Sequence, residues 1–193
     1  LPPELSVFHF VNSGSEANEL ALRMVKAVTG SSQMLVSEVG YHGNTNGCIE
    51  ISSYKFDGKG GKGAPNHIHV FPMPDCFRGK YRGSDAAIEY ANEVKALINN
   101  IKNKRNKLGG FIIEPILSCG GQIELPEEFL KNIYHQVRKA GGLCISDEVQ
   151  TGFGRVGRTF WGFELHGVIP DIITLGKPMG NGHPVAAVVC SEK

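Results

Sequence analysis

Short apolar runs alternate along the chain with longer segments whose apolar residues recur three and four positions apart. Glu16 to Val28 has that spacing, which predicts a helix with one apolar face. Ala86 to Ile101 reads as a second helix with a Lys- and Asn-rich, solvated end. Pro126 to Ala140 reads as a third, with Pro at its opening and Gly141-Gly142 at its close. Between them lie strand-like runs: Met34-Leu35-Val36, Ile68-His69-Val70-Phe71, Phe111-Ile112-Ile113, Leu143-Cys144-Ile145-Ser146, Ile172-Ile173-Thr174-Leu175 and Val185 to Cys190. Pro72 and Pro74 stop one of these runs and Glu114-Pro115 another. Continuous apolar strands between amphipathic helices predict an α/β fold, a three-layer sandwich with a covered, mostly parallel sheet. Asp57 to Ala64, rich in Gly and Lys, is expected to be a loop, and no internal repeat or heptad pattern is present.

Composition narrows the classes of function. The 193 residues are 41% hydrophobic and 20% charged, with a formal net charge of +1, so nothing points to a nucleic-acid or membrane partner. No run of about eighteen apolar residues occurs. Leu1-Pro2-Pro3-Glu4 is neither a signal peptide nor an initiator sequence, and the chain is expected to begin inside a longer protein. The five cysteines, Cys48, Cys76, Cys119, Cys144 and Cys190, are odd in number and include no Cys-x-x-Cys pair. That usage suggests free thiols in a reducing, intracellular compartment. His67-Ile68-His69 is better read as strand alternation than as a metal site, and no metal is expected.

In a parallel sheet, ligands bind beyond the carboxyl ends of the strands, so the residues just after each strand are the candidates for chemistry. Four segments stand out. Asn12-Ser13-Gly14-Ser15-Glu16-Ala17-Asn18 opens the first helix, where small residues with free N–H groups make an anion site. Ser13 and Glu16 also fit a capping box, so an ordinary helix cap competes with a phosphate seat. Tyr41-His42-Gly43 offers a ring that could stack on a flat ligand, or a surface tyrosine. Asp147-Glu148-Val149-Gln150 puts a carboxylate at a strand end, where burial would demand a positive or hydrogen-donating partner. Gly176-Lys177-Pro178 follows a buried strand and directs a lysine toward the cleft, where a desolvated amine could form a Schiff base. Gly152-Phe153-Gly154-Arg155-Val156-Gly157 matches a dinucleotide fingerprint in letters only. Asp147 to Thr151 separate it from the strand, and a poor helix start follows it.

Taken together and in this order, these segments resemble the class III aminotransferases of the aspartate-aminotransferase, or fold-type I, superfamily. The matching runs are Asn12 to Asn18, Tyr41-His42-Gly43, Asp147 to Arg155, and Pro170-Asp171-Ile172 through Gly176-Lys177. Glu50 to Phe56, Arg78 to Arg82, Ser118 to Gln122 and Gly180 to Pro184 look most like the ethanolamine-phosphate phospho-lyase branch. The resemblance spans essentially the whole chain. It implies the large domain of a pyridoxal 5'-phosphate (PLP) enzyme, held through a Schiff base to Lys177. Gly14 and Ser15 would bind the cofactor phosphate. Tyr41 would stack on one face of the ring with His42 beside it, and Val149 would pack on the other. Asp147 would pair with the ring nitrogen, Gln150 would lie near the ring hydroxyl, and Glu114 would sit close by and steer substrate.

The expected activity is transfer of an amino group from an amino acid or amine to a carbonyl acceptor, with Lys177 and Asp147 as the catalytic pair. Elimination of phosphate from a phosphorylated amino alcohol is the alternative, because the same two residues serve both. A non-catalytic fragment that only binds a partner is a third reading, which intact Lys177, Asp147 and Gly14-Ser15 argue against. The resemblance also implies a homodimer. It further implies that residues 1–193 are a partial large domain, without the family's small C-terminal domain or most of its N-terminal segment. The compartment would be cytoplasmic, or mitochondrial if a transit peptide precedes these residues.

Overall fold

The computed structural model describes residues 1–192. In chain order the strands are β1 (Val7–Val11), β2 (Met34–Ser37), β3 (Ile68–Phe71), β4 (Gly110–Ile113), β5 (Ile116–Leu117), β6 (Ile123–Glu124), β7 (Leu143–Asp147), β8 (Ile172–Leu175) and β9 (Ala186–Cys190). The helices are α1 (Gly14–Thr29), α2 (Asn46–Glu50), α3 (Ser53–Phe56), α4 (Ala86–Asn103) and α5 (Phe129–Lys139). One seven-stranded sheet runs in the order β1-β9-β8-β7-β4-β2-β3, and β5 and β6 form a separate hairpin. The strands from β8 to β3 are parallel, and β9 alone runs the other way, pairing antiparallel with both β8 and β1.

Side chains alternate across this sheet, and both sides are apolar. Leu35, Phe111, Ile113 and Cys144 pack with the buried faces of α4 and α5, including Tyr90, Val94, Phe129 and Ile133. Val36, Ile112, Ile145 and Ile172 pack on the other side with Ala17, Ala21 and Val25 of α1. The result is three layers, as the apolar strands predict. Each fully buried Leu, Ile or Phe contributes about 1.5–3 kcal/mol relative to an exposed one. Phe71 and Phe111 add a ring stack at 5.7 Å between centroids.

The helix ends show where local signals succeed and fail. Ser13 caps α1 by accepting the Glu16 N–H at 3.1 Å, and Gly30 closes the helix with φ +69°. The returning arm of the expected capping box goes elsewhere: Glu16 accepts from the N–H of Asn12 at 2.6 Å, not of Ser13. Helix α5 begins at Phe129 rather than Pro126. Glu128 is left-handed with φ +64°, which breaks the helical path before Phe129. Edge strand β1, helices α2 and α3, and the β5–β6 hairpin are additions to the elements that periodicity predicts. Each is too short, or too exposed, to carry a clear repeat.

The carboxyl ends of β2, β4, β7 and β8 and the amino end of α1 converge on one cleft. Tyr41, Glu114, Asp147 and Lys177 lie at or just beyond those strand ends.

Candidate active site

The cleft has a volume of about 430 Å³. Gly14, Ser15, Tyr41, His42, Glu114, Asp147, Val149, Gln150 and Lys177 all line it, although they come from five separated stretches of chain.

Helix α1 supplies the anion-binding end. Glu16 and Ala17 donate their N–H groups to Ser13, which leaves the Gly14 and Ser15 N–H groups at the helix start for a ligand. A Cβ on Gly14 would fall 2.8 Å from Val149 Cγ1, so any side chain here would have to displace Val149. Gly43 is held at φ +128°, and a Cβ there would lie 2.6 Å from Ser15 Oγ. Ser15 Oγ accepts from Asn44 N at 3.0 Å, so its own proton remains to be donated.

Asp147, the last residue of β7, forms the floor. It is 3% exposed, and its partners come from this chain. Oδ2 lies 2.8 Å from His42 Nδ1 and 2.9 Å from Asn18 Nδ2, and Oδ1 accepts from Val149 N at 3.1 Å. The carboxylate accepts at each contact, so the His42 proton sits on Nδ1. His42 is itself buried and therefore bears on Asp147, a closer tie than a place beside Tyr41 suggests.

Glu114 follows β4 and is also buried. Its Oε2 accepts from the backbone N–H of Ser118 at 3.2 Å and from the Ser118 hydroxyl. Burial, reinforced by the nearby Asp147 charge, raises the Glu114 pKa above the usual carboxylate value. Glu148, next to Asp147, points away from the cleft. It accepts from the N–H groups of Gly162 and Phe163, both at 2.8 Å, and from Thr151 Oγ1 at 2.7 Å. That carboxylate pins the glycine-rich segment that follows β7. The apparent dinucleotide fingerprint is part of this pinned segment, which leads to a short 3-10 turn, Gly162–His166.

Lys177 opens a 3-10 turn directly after β8 and has φ +32°, a backbone conformation that a side-chain-bearing residue rarely adopts. It lines the cleft but is exposed, which corrects the expectation of a desolvated amine. The strand end directs the side chain into the cleft, and among the described residues no segment covers it.

Five further residues line the cleft without having been singled out for a role. Asn18 is one turn beyond Gly14, a helical spacing that puts both on one face of α1. Gly43 closes the Tyr41 turn. Ser118 and Cys119, with Gln122, come from the β5–β6 hairpin, whose placement over the cleft no local pattern announces. The histidines near β3 are occupied elsewhere: His69 meets Gln33 at 2.7 Å and His67 meets Glu50 at 3.3 Å.

The model of one family, aminotransferase class III, matches residues 1–193. The chain belongs to the class III aminotransferase family. Among curated relatives, it is 46% identical to the alanine–glyoxylate aminotransferase 2-like protein of Drosophila melanogaster, covering 100% of this chain and 40% of the relative. Among solved structures, a phospholyase from Arthrobacter in complex with phosphoethanolamine superimposes with TM-score 0.90 at 37% identity, covering 100% of this chain and 45% of that one. The omega transaminase from Pseudomonas jessenii in complex with PMP superimposes with TM-score 0.89 at 28% identity, covering 99% and 44%. The chain therefore spans less than half the length of these relatives. Class III membership implies pyridoxal phosphate, and the cleft of this class III chain fits that group. It has free N–H donors at a helix start, a glycine that a Cβ would close against Val149, and a buried carboxylate with three donors.

Proposed function

We propose that this chain is the cofactor-binding part of a PLP-dependent aminotransferase, working as a homodimer on a small amine or amino-acid substrate. The observation that carries this reading is the single cleft shared by Lys177, Asp147 and the free N–H groups of Gly14 and Ser15. When bound, PLP supplies an aldehyde for amine capture and a protonated ring that withdraws electrons from the substrate carbon.

The chain's own residues then have separate tasks. Gly14 and Ser15 hold the phosphate through N–H groups and a hydroxyl. Tyr41 and Val149 would flank the ring and exclude water from its faces, and Gln150 would lie near its hydroxyl. Asp147, whose carboxylate already accepts from three donors, would pair with the ring nitrogen. Lys177 would hold the group through its amine, and that amine is the base placed to move a proton at the substrate carbon. Glu114 faces the substrate side.

Elimination of phosphate from a phosphorylated amino alcohol is the second reading. It is favoured by the likeness at 37% identity to a phospholyase in complex with phosphoethanolamine, against 28% to an omega transaminase. The test is to load the protein with PLP, add phosphoethanolamine or common amino donors, and follow inorganic phosphate and the visible spectrum. Conversion to the aminated cofactor without phosphate supports the aminotransferase. Phosphate release with the starting spectrum regenerated supports the lyase. Absence of any cofactor spectrum overturns both.

A further inference from the structure

The amide of Asn18 has no task in the scheme above, yet it is built into the floor of the cleft. Asn18 is 1% exposed. Its Nδ2 lies 2.8 Å from the carbonyl oxygen of His42 and 2.9 Å from Asp147 Oδ2. Both neighbours are acceptors, which fixes the amide orientation: turned over, its oxygen would face a carbonyl and a carboxylate. Both N–H groups are thereby used. The buried Oδ1 meets no donor among the described residues. A buried carbonyl without a donor is costly, so filling space does not account for an amide at this position. Its two donors do.

We infer that Asn18 is a positioning residue for Asp147. An ionised carboxylate offers about four acceptor positions. On Asp147, Oδ2 takes Asn18 Nδ2 and His42 Nδ1, and Oδ1 takes only Val149 N. The open position is therefore on Oδ1. Asn18 and His42 together fix the carboxylate's rotation. The inference rests on the proposed function, in which that open position receives the N–H of the cofactor ring. The same amide, through His42 O, ties down the turn that carries Tyr41. Asn18 thus links the phosphate end on α1, the stacking turn and the carboxylate.

The test is a double-mutant cycle on the PLP-loaded protein, read by the cofactor dissociation constant and by the position of its visible absorption band. Asn18→Ala is expected to weaken cofactor binding about tenfold or more, the scale of a hydrogen bond to a charged group, and to move the band. In an Asp147→Asn background the same substitution should change both much less, because only the bond to His42 O is then lost. An equal effect in both backgrounds overturns the inference. Asn18→Asp, close in volume, sets a second carboxylate against Asp147 and should be at least as damaging as Asn18→Ala. A residue that only fills space predicts the opposite order, and that order also overturns the inference. If Asn18→Ala does not fold, Asn18→Asp against the parent decides it, because an unchanged band and affinity there is a failure. A parent protein that takes up no PLP sinks the proposed function and this inference with it. A parent that loads normally beside indifferent Asn18 variants sinks the inference alone.

Discussion

The floor and the rim of the cleft are built on different terms. On the floor, Asn18, His42 and Asp147 are all buried and bonded to one another. At the rim, Lys177, Cys119 and Gln122 are exposed, and both Lys177 and Gln122 hold positive φ. Buried polar groups must be satisfied or they destabilise the fold, so the floor is fixed by the same interactions that hold the sheet to α1. The rim has no such obligation. It can present reactive groups in unusual conformations because folding does not depend on them.

Four substitutions sharpen or break that contrast. Lys177→Ala, at the rim, should cut turnover on the order of 10³-fold or more while leaving the melting temperature of the cofactor-free protein in place. A large loss of thermal stability would mean that the rim is structural after all. Glu148→Ala, behind the floor, should do the reverse. It strands the Gly162 and Phe163 N–H groups and should cost about 2–4 kcal/mol in denaturant unfolding. Gly14→Ala should weaken PLP binding about tenfold, because its Cβ must displace Val149. Equal affinity by spectroscopic titration would show that the cleft yields there.

The smallest effect concerns pH. Burial raises the Glu114 and Glu148 pKa values above the usual carboxylate value of about 4.5. For a raised carboxyl, the folded state binds the proton more tightly than the unfolded one. The stabilising contribution is therefore complete below about pH 4.5 and is lost as pH rises through the folded pKa. Glu114→Gln removes one such group, so its melting temperature should fall less steeply than the parent's from pH 4.5 upward. Parallel curves would contradict the assignment.

Much of the fold is legible in the chain. The runs at β3 and β8 coincide with their strands residue for residue, because short runs rich in Ile, Val, Phe and Thr that stop at Pro72 and Gly176 have few alternatives to a strand. The start of α5 is less legible, since Glu128 adopts a left-handed conformation that its identity does not favour. The hairpin that carries Ser118, Cys119 and Gln122 has strands of only two residues, and no period can be read from two.

The sequence by itself determined the layered α/β architecture, the strand ends at which chemistry is possible, and which residue types stand there. Those are consequences of local periodicity and of where apolar runs stop. Only the tertiary structure decided that Asn18 and His42 hold Asp147, that Glu148 faces away from its neighbour's cleft, and that Lys177 is exposed. Asn18 and Asp147 are 129 positions apart, and their contact exists only because α1 packs across β7. A strand sends successive side chains to opposite faces, so Asp147 and Glu148 part company at the sheet even though they are adjacent in the chain.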